Sequence, residues 1–432
     1  MHRFVLPAIV AMGVLLVSLP PADAVLMAPA PSSDPALRQA DPATERYAAG
    51  VEALHADDLD AAEAAFEEAT AANPRMPQPL IGLADVALRR GSRTEAKKWL
   101  DKALETAPND DAALHALSLF HFIGKDYPAA EAALQKALAA NPKNLRAQLD
   151  LADLYANSLK RPSDAIAAYR AAIAIDTTHA GAHNGLATAL ANTGQFKEAE
   201  AEYRKAAELA PGVPVPLHSL ARMQLSRNQI EHGLASLDAA LKVQPKFVPA
   251  LLDKGDVLLS QGKPEAALAL YDQAVAADDK SAAAHFKRGA VLQLQKRNAD
   301  AKPAYIRAIE LDDKFAAAYN NLAWMQVESG TDLDQAAQWA ATAVKLAPEN
   351  GAYRDTQGWV YRAQRKFSEA ETVLEKAASM KPPIADVKYH LGVVYLDLKK
   401  LEQAKKTFSE ALAIDPKHAE SKAALKKLDD AS

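Results

Sequence analysis

Small and bulky apolar residues recur along this chain at fixed distances, and that pattern predicts an array of helix pairs. Helix-ending residues fall at Pro74, Pro108, Pro142, Thr177, Pro211, Pro245, Asp279, Asp313, Pro348, Pro382 and Pro416. The spacing is 34 residues, with 35 in two cases, which defines eleven units. Five residues before each mark stands an alanine without exception, from Ala69, Ala103 and Ala137 through to Ala377 and Ala411. Twelve residues before it stand Ala62, Ala96, Ala130, Ala165, Ala199, Gly233, Ala267, Ala301, Ala336, Ala370 and Ala404. The first helix of each unit carries its own small residue: Gly50, Ala84, Ser118, Ala152, Ala187, Ala221, Gly255, Gly289, Ala323, Gly358 and Gly392. Small residues mark points where helix axes approach most closely, since a larger side chain there forces the pair apart. Between them runs a bulky column that fills the remaining space: Phe66, Leu100, Leu134, Tyr169, Tyr203, Leu237, Tyr271, Tyr305, Leu374 and Phe408. Unit nine departs, with Ala340 in the plug position and Trp339 beside it; either Trp339 compensates or the local packing shifts.

The turns have their own signals. Gly91, Gly124, Gly194, Gly262 and Gly330 suit the left-handed residue that ends a first helix. Proline at the mark suits the end of a second helix. Where the mark is Thr177, Asp279 or Asp313, the polar side chain is expected to cap the helix that follows. The extra residues of units four and nine fall near Lys160-Arg161-Pro162 and Thr331-Asp332-Leu333, in turns that tolerate insertion.

The ends read differently from the repeats. Arg3, the uncharged apolar run Phe4 to Leu19 and the small-x-small site Ala22-Asp23-Ala24 make residues 1–24 a signal peptide, with cleavage expected after Ala24. An uncleaved N-terminal anchor is the alternative. Residues 25–42 carry four prolines among small polar residues and read as a flexible linker. The repeat body is expected over 43–416 and a capping helix over 417–432, with Lys422, Lys426 and Lys427 on its solvated face. The expected location is outside the cytoplasm: the periplasm first, with secretion or attachment to the inner membrane as alternatives.

Composition narrows the function classes. The chain has 432 residues, too many for one compact core. It contains no cysteine, which excludes disulfides, thiolate metal sites and cysteine nucleophiles. Its formal net charge of −5 gives no long-range attraction to nucleic acid. His179 and His183 are spaced for one helical face, but with no third ligand nearby they read as structural. There is no glycine-rich phosphate loop, nucleophile elbow or HExxH run, and the repeats leave no room for a catalytic domain. The expectation is a protein that is not an enzyme and holds no cofactor.

The chain resembles the tetratricopeptide repeat proteins, in lines such as Leu151-Ala152-Asp153-Leu154-Tyr155, Asn320-Asn321-Leu322-Ala323-Trp324 and His390-Leu391-Gly392-Val393-Val394-Tyr395. The resemblance covers nearly all of residues 41–428. It implies an all-α, right-handed solenoid of antiparallel helix pairs whose first helices line a groove that binds proteins or extended peptides. Carried onto this sequence, the groove positions are richest in units nine to eleven, at Asn320, Trp324, Asp355, Trp359, Arg362 and Tyr389. Trp324 and Trp359 occupy matching positions and are expected to stack as neighbours; burial between helices is the alternative reading. Elsewhere those positions hold His115, Asn184, His218, Arg222, Leu252 and Phe286 among others, a mixed surface. The family's lysine–asparagine carboxylate clamp is not met. A protein or peptide partner is expected, with a polysaccharide stacked on the tryptophans as the alternative.

Overall fold

The computed structural model describes residues 41–430; the signal, almost all of the linker and the last two residues lie outside the described residues. Twenty-three α-helices follow one another, with no strand among the described residues. They pair as the period requires: Pro42–His55 with Leu59–Ala72, Pro77–Arg89 with Arg93–Thr106, and so on to Ala385–Asp397 with Leu401–Ile414, followed by Ala419–Asp430. Contacts divide the chain into two bodies that part between Val243 and Gln244.

The small columns are the buried seams of both bodies. Ala69, Ala103, Ala137, Ala172, Ala274, Ala308 and Ala411 are sealed from solvent, as are Ala62, Ala96, Ala165, Ala267 and Ala404. Where the first-helix residue is glycine, the plug side chain, Leu374 in unit ten and an aromatic ring elsewhere, lies in the space a Cβ would take. A Cβ on Gly50 would stand 2.5 Å from Phe66 Cε1, and one on Gly255 would stand 2.4 Å from Tyr271 Cε1. These distances are far inside van der Waals contact, so the glycine and its aromatic plug are one packing solution. In unit nine, Ala340 is fully buried, and Trp339 packs against two buried clusters, one that includes Tyr305, Leu322 and Met325 and one that includes Ala323, Ala336 and Val360. The compensating tryptophan is therefore in place.

Tyrosine plugs add a polar function that leucine and phenylalanine cannot. The Tyr169 hydroxyl donates to Asp153, and Tyr271 donates to Asp256 Oδ1 at 2.6 Å. The Tyr203 and Thr188 hydroxyls meet at 3.0 Å. Tyr305 donates to Gln293 Oε1 at 2.8 Å and accepts from Asn321 Nδ2 at 3.0 Å. Each hydroxyl thus reaches the first-helix face and fixes a polar side chain there. Burial raises the carboxyls of Asp153, to about 6, and of Asp256, where Lys287 at 2.7 Å pulls the other way.

Three expectations are corrected. Every unit has a left-handed turn residue, at Asp57, Gly91, Lys125, Lys160, Gly194, Asn228, Gly262, Lys296, Gly330, Arg365 and Lys399, so in unit three it is Lys125 and not Gly124. Gly124 keeps φ −75, and a Cβ there would stand 2.4 Å from the Arg93 guanidinium, the end of a flexible side chain. Thr177, Asp279 and Asp313 do not cap the next helices, which start behind His179, Ser281 and Phe315. The preceding aspartates, Asp176, Asp278 and Asp312, instead accept from the amides of Thr178, Lys280 and Lys314 at 2.8–3.0 Å. The extra residue of unit four is absorbed within the first helix, as a π-helical turn over Leu154–Ser158 closed by Leu159 N to Leu154 O at 2.9 Å. In unit nine the first helix gains a residue, 14 against 13 in unit eight, before a turn with both Gly330 and Asp332 left-handed.

Candidate functional site

The candidate residues stand on the first helices of units nine, ten and eleven: Ala316–Ser329, Gly351–Ala363 and Ala385–Asp397. The middle helix is anchored by Asn350, whose Oδ1 accepts from the amides of Ala352 and Tyr353 at 3.0 and 3.3 Å. In each helix the small residue, Ala323, Gly358 or Gly392, faces the plug. Residues three before and one after it are four apart and so share a face one turn apart. That register pairs Asn320 with Trp324 and Asp355 with Trp359.

Their focus is a residue that the sequence reading had quoted only as part of a packing motif. His390 Nδ1 meets both oxygens of Asp355, at 2.9 and 2.7 Å, linking the first helices of units ten and eleven. A carboxylate can only accept, so Nδ1 carries the proton, and in the neutral ring Nε2 keeps its lone pair. The Trp359 ring stacks on His390 at 4.1 Å between centroids, and Trp324 approaches the same imidazole at 5.9 Å. The two indoles were expected to stack on each other; each instead packs on the histidine, because His390 projects from unit eleven into the space they share. Tyr389 lies 5.7 Å from His390, 5.8 Å from Phe408 and 5.4 Å from His418, and burial raises its hydroxyl's pKa.

Arg362 closes the cluster. Its guanidinium carbon sits 4.5 Å over the Trp359 ring, and its Nε donates to Asp397 Oδ2 at 2.6 Å. Asp355 itself is buried, so its role is to hold His390 rather than to meet a partner. Asn320 belongs to a neighbouring chain of side chains: it donates to Asn321 Oδ1 at 3.4 Å, and Asn321 donates to Tyr305. Five of the six candidates therefore form one cluster around His390, with Asn320 beside it. His390 could have been found from sequence as the histidine 35 residues beyond Asp355, the same register as His115 and Asp150, which pair at 2.6 Å in the first body.

The charged groups here are mutually paired: His390 with Asp355, Arg362 with Asp397, Lys388 with Glu410 at 2.7 Å and His418 with Asp386 at 2.9 Å. The two histidines once weighed as ligands are structural. His179 caps the helix Ala180–Asn192 through Nδ1, and His183 bridges Glu202 at 2.6 Å and the Thr177 carbonyl at 3.1 Å. Among the described residues no group of three or more His, Cys, Asp or Glu side chains is placed to share a metal ion, and no helix is long and apolar enough to cross a membrane.

Comparison with known proteins settles the class. Tetratricopeptide repeat profiles match residues 53–118, 156–223 and 361–428, and a second set matches 124–180, 219–282, 252–301 and 286–351. The chain belongs to the tetratricopeptide repeat family, whose members are typically non-catalytic scaffolds. Among curated relatives it is similar to cellulose synthase operon protein C of Xanthomonas axonopodis pv. citri, 30% identical over 222 residues, covering 48% of this chain and 15% of that protein. The protein of the same name from Pseudomonas fluorescens is 29% identical over 183 residues, covering 40% of this chain and 14% of that protein. The chain thus spans about a seventh of the length of these relatives. Among solved structures it is similar to a chain of the APC/C hetero-tetramer Cut9–Hcn1, with a TM-score of 0.49 and 15% identity over 89% of this chain and 96% of that one.

Proposed function

We propose that this chain is a non-catalytic scaffold that holds a protein or extended peptide against the first-helix face of units nine to eleven. The observation that carries the reading is the cluster of Trp324, Asp355, Trp359, Arg362 and Tyr389 around His390, drawn from three successive helices. Aromatic and arginine side chains concentrated in one place are the usual composition of a protein-binding hot spot. Their rigidity, set by the Asp355–His390 and Arg362–Asp397 bonds, lowers the entropy lost on binding. The arginine-rich tip of Arg362 and the Tyr389 ring remain partly open and are the contact groups.

The signal-like residues 1–24 support an exported scaffold, in the periplasm or beyond it. The partial likeness to cellulose synthase operon protein C supports a place in an envelope system that exports polysaccharide. That likeness also favours a second reading, direct binding of a glycan. Against it, the Trp359 ring already carries His390 and Arg362, which leaves it poorly free as a sugar-stacking platform.

Capture of partners from an envelope extract tests the reading. The full chain should retain a protein that the double variant Arg362→Ala, Tyr389→Ala releases, while the variant keeps the parent's thermal midpoint to within a few degrees. A partner held equally by both proteins would show that the face is wrong. Quenching of tryptophan fluorescence by cello-oligosaccharides, with no protein captured, would establish the glycan reading instead.

A further inference from the structure

Two buried polar atoms on the first helix of unit nine have no hydrogen-bond partner: Trp324 Nε1 and Asn320 Oδ1. They belong to residues four apart on one helical face, so they lie one turn apart. One is a donor and the other an acceptor. Both are sealed from bulk solvent and face no protein partner. Buried groups of this kind are rare in native structures, because each forfeits the hydrogen bond it would make in water.

The chain of side chains behind Asn320 explains why it ends open. Asn320 Nδ2 donates to Asn321 Oδ1 at 3.4 Å, Asn321 Nδ2 donates to the Tyr305 hydroxyl at 3.0 Å, and that hydroxyl donates to Gln293 Oε1 at 2.8 Å. Every link points the same way, from the helix face towards the core. Such a chain uses one N–H of Asn320 and leaves its carbonyl oxygen facing no donor. Trp324 offers an N–H one turn away, but the two groups do not satisfy each other.

We propose that Asn320 and Trp324 form a subsite for one residue of an extended peptide, whose backbone N–H is received by Asn320 Oδ1 and whose backbone C=O accepts from Trp324 Nε1. The inference rests on the reading that this face binds a peptide or protein, and it names the chemistry of one contact. One residue of an extended peptide presents its N–H and its C=O on the same side, a donor and an acceptor without charge. A charged group has no counterpart here, because the ionised side chains around it are already paired with one another. A sugar ring would need an open aromatic face, and both indoles are engaged by His390. Exposing the two atoms requires Trp324 to turn; neither atom gives up a hydrogen bond in turning, and the cost is the packing of the indole beside His390.

The test uses peptides as the probe. Random dodecamers displayed on phage are selected against the full chain, and the enriched sequences are synthesised and titrated. Trp324→Phe keeps an aromatic ring and removes the N–H; Asn320→Leu removes the acceptor at similar volume. Each variant should bind the selected peptides at least ~10-fold more weakly. The thermal midpoint of Trp324→Phe should be unchanged or higher, because an orphaned donor has been removed. A purely structural role predicts the reverse pair of results, a lower midpoint with unchanged affinity, and would overturn the proposal. If the peptides lose affinity with Arg362→Ala and Tyr389→Ala but not with Trp324→Phe or Asn320→Leu, the face is correct and this subsite is wrong. Failure to enrich any peptide, with binding of cello-oligosaccharides instead, would overturn both.

Discussion

Asp153 makes the solenoid's stability depend on pH, in a direction opposite to that of most carboxylates. It sits at the end of the first helix of unit four, just before the π-helical turn, and accepts from the Tyr169 hydroxyl. Burial raises its pKa from 3.8 to about 6, against the lowering effect of the tyrosine bond. The folded protein therefore holds a proton at pH values where the unfolded chain has released it. Stability contributed by this group is fully present below about pH 4 and is lost as pH rises through about 6. A rise of that size, at about 1.36 kcal/mol per pH unit, corresponds to about 3 kcal/mol by pH 7. Asp153→Asn removes the titration and keeps an oxygen for Tyr169. In urea titrations of wild type and variant at pH 4, 5, 6 and 7, the variant should gain progressively on the wild type, most steeply between pH 4 and 6. Hydrogen exchange of the amides of Leu145–Asp153 should show the gain locally, since repeat arrays open in segments. A difference between the two proteins that stays constant across that range, or that favours the wild type at pH 7, would refute the reasoning.

Two further outcomes follow from the packing. Gly255→Ala places a Cβ 2.4 Å from Tyr271, whose hydroxyl is held by Asp256, so the ring cannot simply swing away; denaturation should show a loss of about 1–3 kcal/mol. Gly212→Ala, with nothing within 4 Å and no left-handed backbone, is the control and should change little. Lys296→Gly relieves a left-handed residue at φ 61 whose exposed side chain makes no bond, and should raise stability by about 0.5–1 kcal/mol in the same assay.

The repeat architecture was legible because close helix packing constrains residue size, and size is written directly in the sequence. Ala69 and its ten counterparts could be read as seams because no other residue type fits where two axes meet. The turns were less legible. Glycine is not obligatory for a left-handed residue, and Lys125, Lys296 and Arg365 take that conformation where the two helix ends demand it. Gly124 misled because it stands one residue before the left-handed position, in the right-handed C-cap that Arg90 fills in unit two. The π-helical turn over Leu154–Ser158 was also hidden, since an inserted residue can be taken up by a turn or by a helix at similar cost. At the candidate site, the matching positions of Trp324 and Trp359 were visible, but the histidine that engages both was not. Its role depends on the approach of three helices, and on Asp355 being buried enough to fix the ring.

Site-specific photo-crosslinking gives the most direct test of the binding claim. A photoreactive phenylalanine analogue is placed at Val393 on the first helix of unit eleven, in the register of Trp324 and Trp359, and in a separate protein at Glu369 on the exposed side of the second helix of unit ten. Irradiation of cells expressing each protein, followed by mass analysis of the products, should yield a discrete crosslinked protein at position 393 and none at 369. A discrete partner at 369 with none at 393 would contradict the assignment of the first-helix face as the surface that holds the partner.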